Sequence, residues 1–194
     1  MASKANNYLE FLKLVGKSKR IPRTGWVKEK VKNPESIAEH SFRVGVIAMI
    51  LADDLLVNKE KLMKMALLHD LGETFTGDIV WTRGDVVDIK IRDQKEKEEL
   101  KNLIKFFNTI DKGEEFIKIF KEMLLADSEE ARIFWQIDKL EMAIQAFEYE
   151  EEQGESLDEF FKNADLFVME PLLKSILNKI MKRRELRAKS VFKL

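Results

Sequence analysis

The stretch Ser36-Ile37-Ala38-Glu39-His40-Ser41-Phe42-Arg43-Val44-Gly45-Val46-Ile47-Ala48-Met49-Ile50-Leu51 opens with a serine and a glutamate three residues apart. In that spacing each side chain can bond a backbone N–H at the start of a helix, the pattern of a capping box. Val44, Ile47, Ala48, Leu51 and Leu55 then recur at three- and four-residue steps, which places them on one helical face. The reading is an amphipathic helix with His40 in its first turns.

The same period extends in both directions. Leu9, Leu12 and Val15 predict a helix over about 7–17, and Arg20-Ile21-Pro22-Arg23-Thr24-Gly25-Trp26 after it reads as a loop carrying two arginines and a tryptophan. Downstream, Leu62, Met65, Ala66 and His69 predict a helix over 59–71, with His69-Asp70 in its last turn and Gly72 as its stop. Residues 73–84, with Gly77, Asp78 and Gly84, read as a loop. Apolar faces at Leu100, Leu103, Ile104 and Phe107, and at Phe116, Ile119, Phe120 and Met123, predict surface-packed helices over 89–108 and 115–125. Ser128 can cap a long helix to about 152, with Ile133, Ile137, Leu140, Ile144 and Phe147 buried and Asp138 interrupting the apolar stripe.

A short helix over 157–162 and a final one from Pro171 complete the chain, proline suiting a first turn. The basic run Lys182-Arg183-Arg184-Glu185-Leu186-Arg187 suits a helix C-terminus and reads as a solvated last turn or frayed tail. Alternating strand patterns are essentially absent, and Ile79-Val80-Trp81 is too short to change the class. The expectation is all-α: one helical domain over residues 1–194, its core motif region about 9–152 and its C-terminal helix about 168–190.

Composition narrows the chemistry. The 194 residues include 8 Gly, 3 Pro and no Cys. This excludes a disulfide scaffold, a thiol nucleophile and thiolate-bound zinc or iron–sulfur clusters, and leaves nitrogen and oxygen as metal ligands. Lys plus Arg total 34 against 35 Asp plus Glu, a net charge of −1. That argues against a nucleic-acid polymer as partner. No run reaches the roughly 18 to 20 apolar residues of a membrane span, nor is there a signal-peptide pattern. The expected setting is cytoplasmic, with no membrane partner.

His40 and His69 are the two histidines of the chain. A lone histidine is more often structural than functional, but these two lie at helix ends close to carboxylates. Asp70 and Asp138 sit on apolar helix faces, where burial costs several kcal/mol unless a cation or hydrogen bonds compensate it. Two imidazoles and two carboxylates from three helices could surround a single divalent ion and leave positions for water and a substrate oxygen. Nitrogen ligands favour Mn, Co, Fe, Ni or Zn over Mg.

The order His40, His69-Asp70, Asp138 resembles the H…HD…D pattern of HD-domain metal-dependent phosphohydrolases. The segments Lys19 to Trp26, Pro34 to Ser41, His69 to Ile79 and Asp138-Lys139-Leu140-Glu141 are similar to the 5'-deoxynucleotidase branch. The resemblance implies an all-helical, usually dimeric enzyme that hydrolyses deoxyribonucleoside 5'-monophosphates. It implies His40, His69, Asp70 and Asp138 as metal ligands, Glu73 and Asp78 as catalytic acids around the attacking water and scissile phosphate, and Arg20 on the phosphate. Where bacterial members carry an aromatic residue just after that arginine, this chain has Ile21, with Trp26 nearby.

The residues themselves leave alternatives open. Glu73 can handle a proton beside a metal-activated water, or face solvent at a helix end. Asp78 suits a turn after Gly77. Arg23 offers the same bidentate geometry as Arg20 for a phosphate dianion, though the motif match favours Arg20. Trp26 can stack on a base or sugar, or cap the core. Glu141, three residues after Asp138 and on a neighbouring helix face, can support a metal ligand from outside, though a salt bridge is the commoner role for such a residue. Rival functions are an HD phosphohydrolase acting on another phosphoester and a non-catalytic nucleotide- or metal-binding helical module.

Overall fold

The computed structural model describes residues 2–78 and 89–191. Their elements are helices: α1 (Ala2–Lys17), a 3-10 turn (Ser18–Arg20), α2 (Thr24–Lys28), α3 (Ile37–Leu51), α4 (Lys59–Leu68), α5 (Glu73–Thr76), α6 (Ile89–Phe107), α7 (Gly113–Leu125), α8 (Glu129–Gln153), α9 (Asp158–Phe167) and α10 (Pro171–Val191). An isolated bridge between Pro22 and Ser36 is the strand-like pairing among the described residues. The Ile79-Val80-Trp81 stretch lies outside them.

The capping box forms as predicted. Glu39 N–H donates to Ser36 Oγ at 3.3 Å, and Ser36 N–H donates to Glu39 Oε2 at 2.7 Å. Ser128 likewise caps α8 by accepting from Ala131 N–H at 3.2 Å. That helix ends at Gly154, whose φ of 80° a residue with Cβ adopts at a cost. At Gly113 the constraint is spatial: an added Cβ would lie 1.8 Å from the Phe107 carbonyl oxygen. The close α6–α7 turn therefore demands glycine.

α8 is the central helix, packing against α3, α4, α7, α9 and α10. Val44, Leu62, Met65, Phe107, Met123, Phe134, Ile137, Leu140 and Leu173 form a continuous core around it. No described helix is long and apolar enough to cross a membrane.

Four elements differ from the sequence reading, each through tertiary contacts. The expected loop over 20–26 contains the 3-10 turn and α2. The first N–H of α2, from Thr24, donates to Asp78 Oδ2 at 2.5 Å, so the cap comes from a residue 54 positions away. α5 is a single helical turn inside the predicted loop after Gly72. α9 runs on to Phe167 because Phe161 and Ala164 bury one face of it. The basic run in α10 is partly internal: Arg184 donates to Glu150 on α8 at 2.7 and 2.8 Å and lies over the Phe161 ring. Arg187 donates to the Glu151 carbonyl at 3.0 Å.

Candidate metal centre

Three helices deliver the four expected ligands to one place. α3 supplies His40 one turn beyond its cap, α4 ends at His69 with Asp70 next, and α8 supplies Asp138 from its buried stripe. His40 Nε2 lies 3.0 Å from Asp138 Oδ1 and 3.9 Å from Asp70 Oδ2. His69 Nε2 lies 3.1 Å from Asp70 Oδ2 and 3.8 Å from Asp138 Oδ1. His40 is fully buried, and His69 and Asp138 nearly so.

The outer nitrogens of both rings are already engaged. His69 Nδ1 sits 2.8 Å from the Ala66 carbonyl oxygen. A carbonyl accepts and never donates, so Nδ1 carries a proton and Nε2 is the nitrogen turned toward the cluster. That buried Nε2 has no hydrogen-bond partner among the described residues. His40 Nδ1 lies 2.5 Å from Glu141 Oε2, which leaves its Nε2 facing Asp138. Two such acceptors 3.0 Å apart repel each other unless a proton or a cation lies between them. The residues therefore fit a divalent ion: two imidazole nitrogens with their second nitrogens fixed, plus two carboxylate oxygens.

Charge around the cluster keeps the carboxylates ionised. Burial pushes Asp70 up, but His69, Arg23 and His40 outweigh it and hold the group well below the usual carboxylate range. Asp138 is also held well below its ordinary value, burial being overcome by Lys139, His40 and His69. Lys139 Nζ lies 2.8 Å from Asp138 Oδ2.

Glu73 behaves in the opposite way. It begins α5, almost enclosed, and burial followed by the charges of Asp70 and Asp78 pushes it up to about 10 against Arg23 and Lys95. In the metal-free arrangement its neutral form is favoured, and its Oε2 has no hydrogen-bond partner among the described residues. Lys95 of α6, 3.5 Å from Glu73 Oε1, went unnoticed in the sequence. Its local signal, a four-residue spacing to Glu99, pointed to an ordinary surface pair.

The two arginines separate. Arg23 is buried beside the cluster, with Nη1 donating to Asp70 Oδ2 at 2.6 Å and Nη2 3.7 Å from the Met142 sulfur. Its guanidinium is held above its ordinary pKa: burial favours the neutral form, and Asp70, Asp78, Asp138 and Glu73 outweigh burial. Arg20 is exposed and lines an open groove of about 520 Å³ with Lys13, Lys17 and Phe106. The sequence preference for Arg20 over Arg23 is therefore reversed in proximity to the cluster.

Trp26 belongs to the core. It is 1% exposed, stacks on Phe160 with ring centroids 3.9 Å apart and donates from Nε1 to Glu35 Oε1 at 2.9 Å. With its face covered and its N–H spent, it offers no platform to a base or sugar. Asp78 does not hang free in its turn either: besides capping α2, its carbonyl accepts from Thr24 Oγ1 at 2.6 Å.

A family profile described as HD domain matches residues 15–180. The chain is 39% identical over 164 residues to a Danio rerio protein named 5'-deoxynucleotidase HDDC2, covering 82% of this chain and 79% of the relative. It is 34% identical over 188 residues to the Schizosaccharomyces pombe 5'-deoxynucleotidase hdd1, covering 95% and 93%. A solved structure of a conserved hypothetical protein from Pyrococcus furiosus superposes with a TM-score of 0.73 at 33% identity, covering 90% of this chain and 99% of that one.

Proposed function

The chain belongs to the HD-domain family, and from that premise we propose that it is a metal-dependent 5'-deoxynucleotidase releasing phosphate from deoxyribonucleoside 5'-monophosphates. The observation that carries the chemistry is the meeting of His40, His69, Asp70 and Asp138, with His69 Nε2 buried and unpartnered. These four would hold one divalent ion, for which their nitrogen content favours Mn, Co, Fe, Ni or Zn over Mg. Such an ion supplies a water that is nucleophilic near neutral pH and positive charge for the phosphoryl group.

The chain's own groups do the rest. Glu73, enclosed and with Oε2 unpartnered among the described residues, stands as the proton handler: its carboxylate would accept a proton from the attacking water and the acid so formed would return it to the leaving 5' oxygen. Asp78 raises the proton affinity of Glu73 and fixes α2. Arg23 keeps Asp70 ionised, and its Nη2, facing the weak thioether acceptor of Met142, is available to a phosphate oxygen. Arg20, at the groove, would meet the substrate from outside the cluster. A homodimer is part of the same reading; a monomeric mass in solution would contradict it. The setting we propose is cytoplasmic.

The substrate assignment is tested by phosphate release from matched deoxyribo- and ribonucleoside 5'-monophosphates. Faster release across the deoxy series supports it; equal rates, or release only from another phosphoester, would assign a different substrate.

A further inference from the structure

His40 is gripped from both sides, and the outer grip forms a chain of its own. Glu141 lies on α8 one turn beyond Asp138, fully buried, so one helix presents a carboxylate to each nitrogen of the same ring. Glu141 Oε2 is 2.5 Å from His40 Nδ1, and Asp138 Oδ1 is 3.0 Å from Nε2. The other Glu141 oxygen, Oε1, accepts from Arg43 Nε at 2.7 Å. Arg43 sits on α3, three residues after His40, and its remaining nitrogens donate to Glu148 at 2.6 Å and to Gln145. The line His40–Glu141–Arg43–Glu148 thus crosses three times between α3 and α8.

We infer that Glu141, anchored by Arg43, is a positioning residue that fixes which nitrogen of His40 faces the metal centre. A carboxylate paired with a guanidinium accepts and does not donate. Glu141 therefore selects the ring form with the proton on Nδ1 and turns the Nε2 lone pair toward Asp70 and Asp138. An imidazole held by a carboxylate in this way is both oriented and made a better donor. Arg43 matches the buried charge, so that the carboxylate is not left as an unpaired anion.

A competing assignment is a second cation among Glu35, His40 and Glu141, whose ligand atoms lie within 4.8 Å of one another. Most of these ligand atoms already have partners. Both Glu141 oxygens are engaged, and Glu35 Oε1 accepts from Trp26 Nε1.

The inference rests on the metal reading of His40, and its test separates the two. Because the chain has two histidines, ¹⁵N-histidine labelling gives two imidazole patterns. In zinc-loaded protein His40 should carry its proton on Nδ1. Glu141→Gln should weaken cobalt(II) binding about 10- to 100-fold, the range for such outer partners, and lower kcat with KM for the nucleotide unchanged. Arg43→Met should shift both quantities in the same direction by less. A zinc-loaded His40 protonated on Nε2 overturns the inference. So does native cobalt affinity in folded Glu141→Gln and Arg43→Met proteins. Should Glu141→Gln not fold, the native spectrum and Arg43→Met decide. Unchanged cobalt binding in His40→Ala would instead overturn the metal reading itself.

Discussion

Arg23 Nη1 donates to Asp70 Oδ2 across 2.6 Å, tying the turn before α2 to the residue that follows His69. Both side chains are nearly enclosed. The backbone holds this geometry through Arg23 N–H to the Glu35 carbonyl at 2.9 Å and Ile37 N–H to the Ile21 carbonyl at 3.0 Å. Removing one member of a buried pair costs about 3–5 kcal/mol, because its partner is left as an unpaired charge. Arg23→Met should therefore destabilise chelator-stripped protein by about that amount, and clearly less when a divalent ion shares Asp70. Denaturant unfolding with and without cobalt measures both values; equal losses in the two states would argue against Asp70 as a ligand.

Glu73→Gln keeps the shape of α5 and removes the exchangeable proton. General acid–base groups contribute about 10²- to 10⁴-fold, so kcat should fall by at least about 100-fold while cobalt affinity and thermal stability stay near native. An unchanged kcat would assign the proton handling to another group.

In metal-free protein burial and Arg23 favour a neutral His40, but Glu141 and Asp138 prevail and push it up to about 10. An unfolded histidine titrates near about 6.5. The folded state binds this proton more tightly, so its stabilisation is complete below about pH 6.5 and is lost as pH rises through about 10. An incoming divalent ion must displace the same proton, and its affinity should rise with pH across that window. Calorimetric cobalt titrations at pH 7.5, in buffers of different ionisation enthalpy, should show net proton release; none would contradict the assignment.

Trp26→Phe retains most of the ring but loses the bond to Glu35, leaving a buried carboxyl group short of a donor. An unsatisfied buried group costs about 1–3 kcal/mol. Thermal unfolding should register that loss while KM for the nucleotide remains within about twofold. A large KM change with native stability would return Trp26 to the substrate.

What could be read from the sequence was what local spacing encodes. Ser36 and Glu39 announced the start of α3, and His40, His69-Asp70 and Asp138 could be grouped because each sat on an apolar helical stripe where a polar group needs a partner. The motif favoured Arg20 over Arg23, because what draws Arg23 to the cluster is a contact with Asp70 that spans 47 residues and leaves no local trace. The start of α2 was equally hidden, its cap being Asp78. Trp26 was ambiguous until Phe160, from α9, was seen to cover it. Arg43 and Lys95 carry no local signal of a role, because their partners, Glu141 and Glu73, lie on other helices.

In the proposed mechanism one divalent ion, held by His40, His69, Asp70 and Asp138, serves deoxynucleotide hydrolysis. Cobalt titrated into chelator-stripped protein, with phosphate release from a deoxyribonucleoside 5'-monophosphate followed at each addition, tests it most directly. Activity should start near zero, rise in proportion to cobalt and level off at one equivalent per chain, with Asp70→Ala remaining inactive throughout. Full activity before any metal is added, or a native titration curve from Asp70→Ala, would contradict the account.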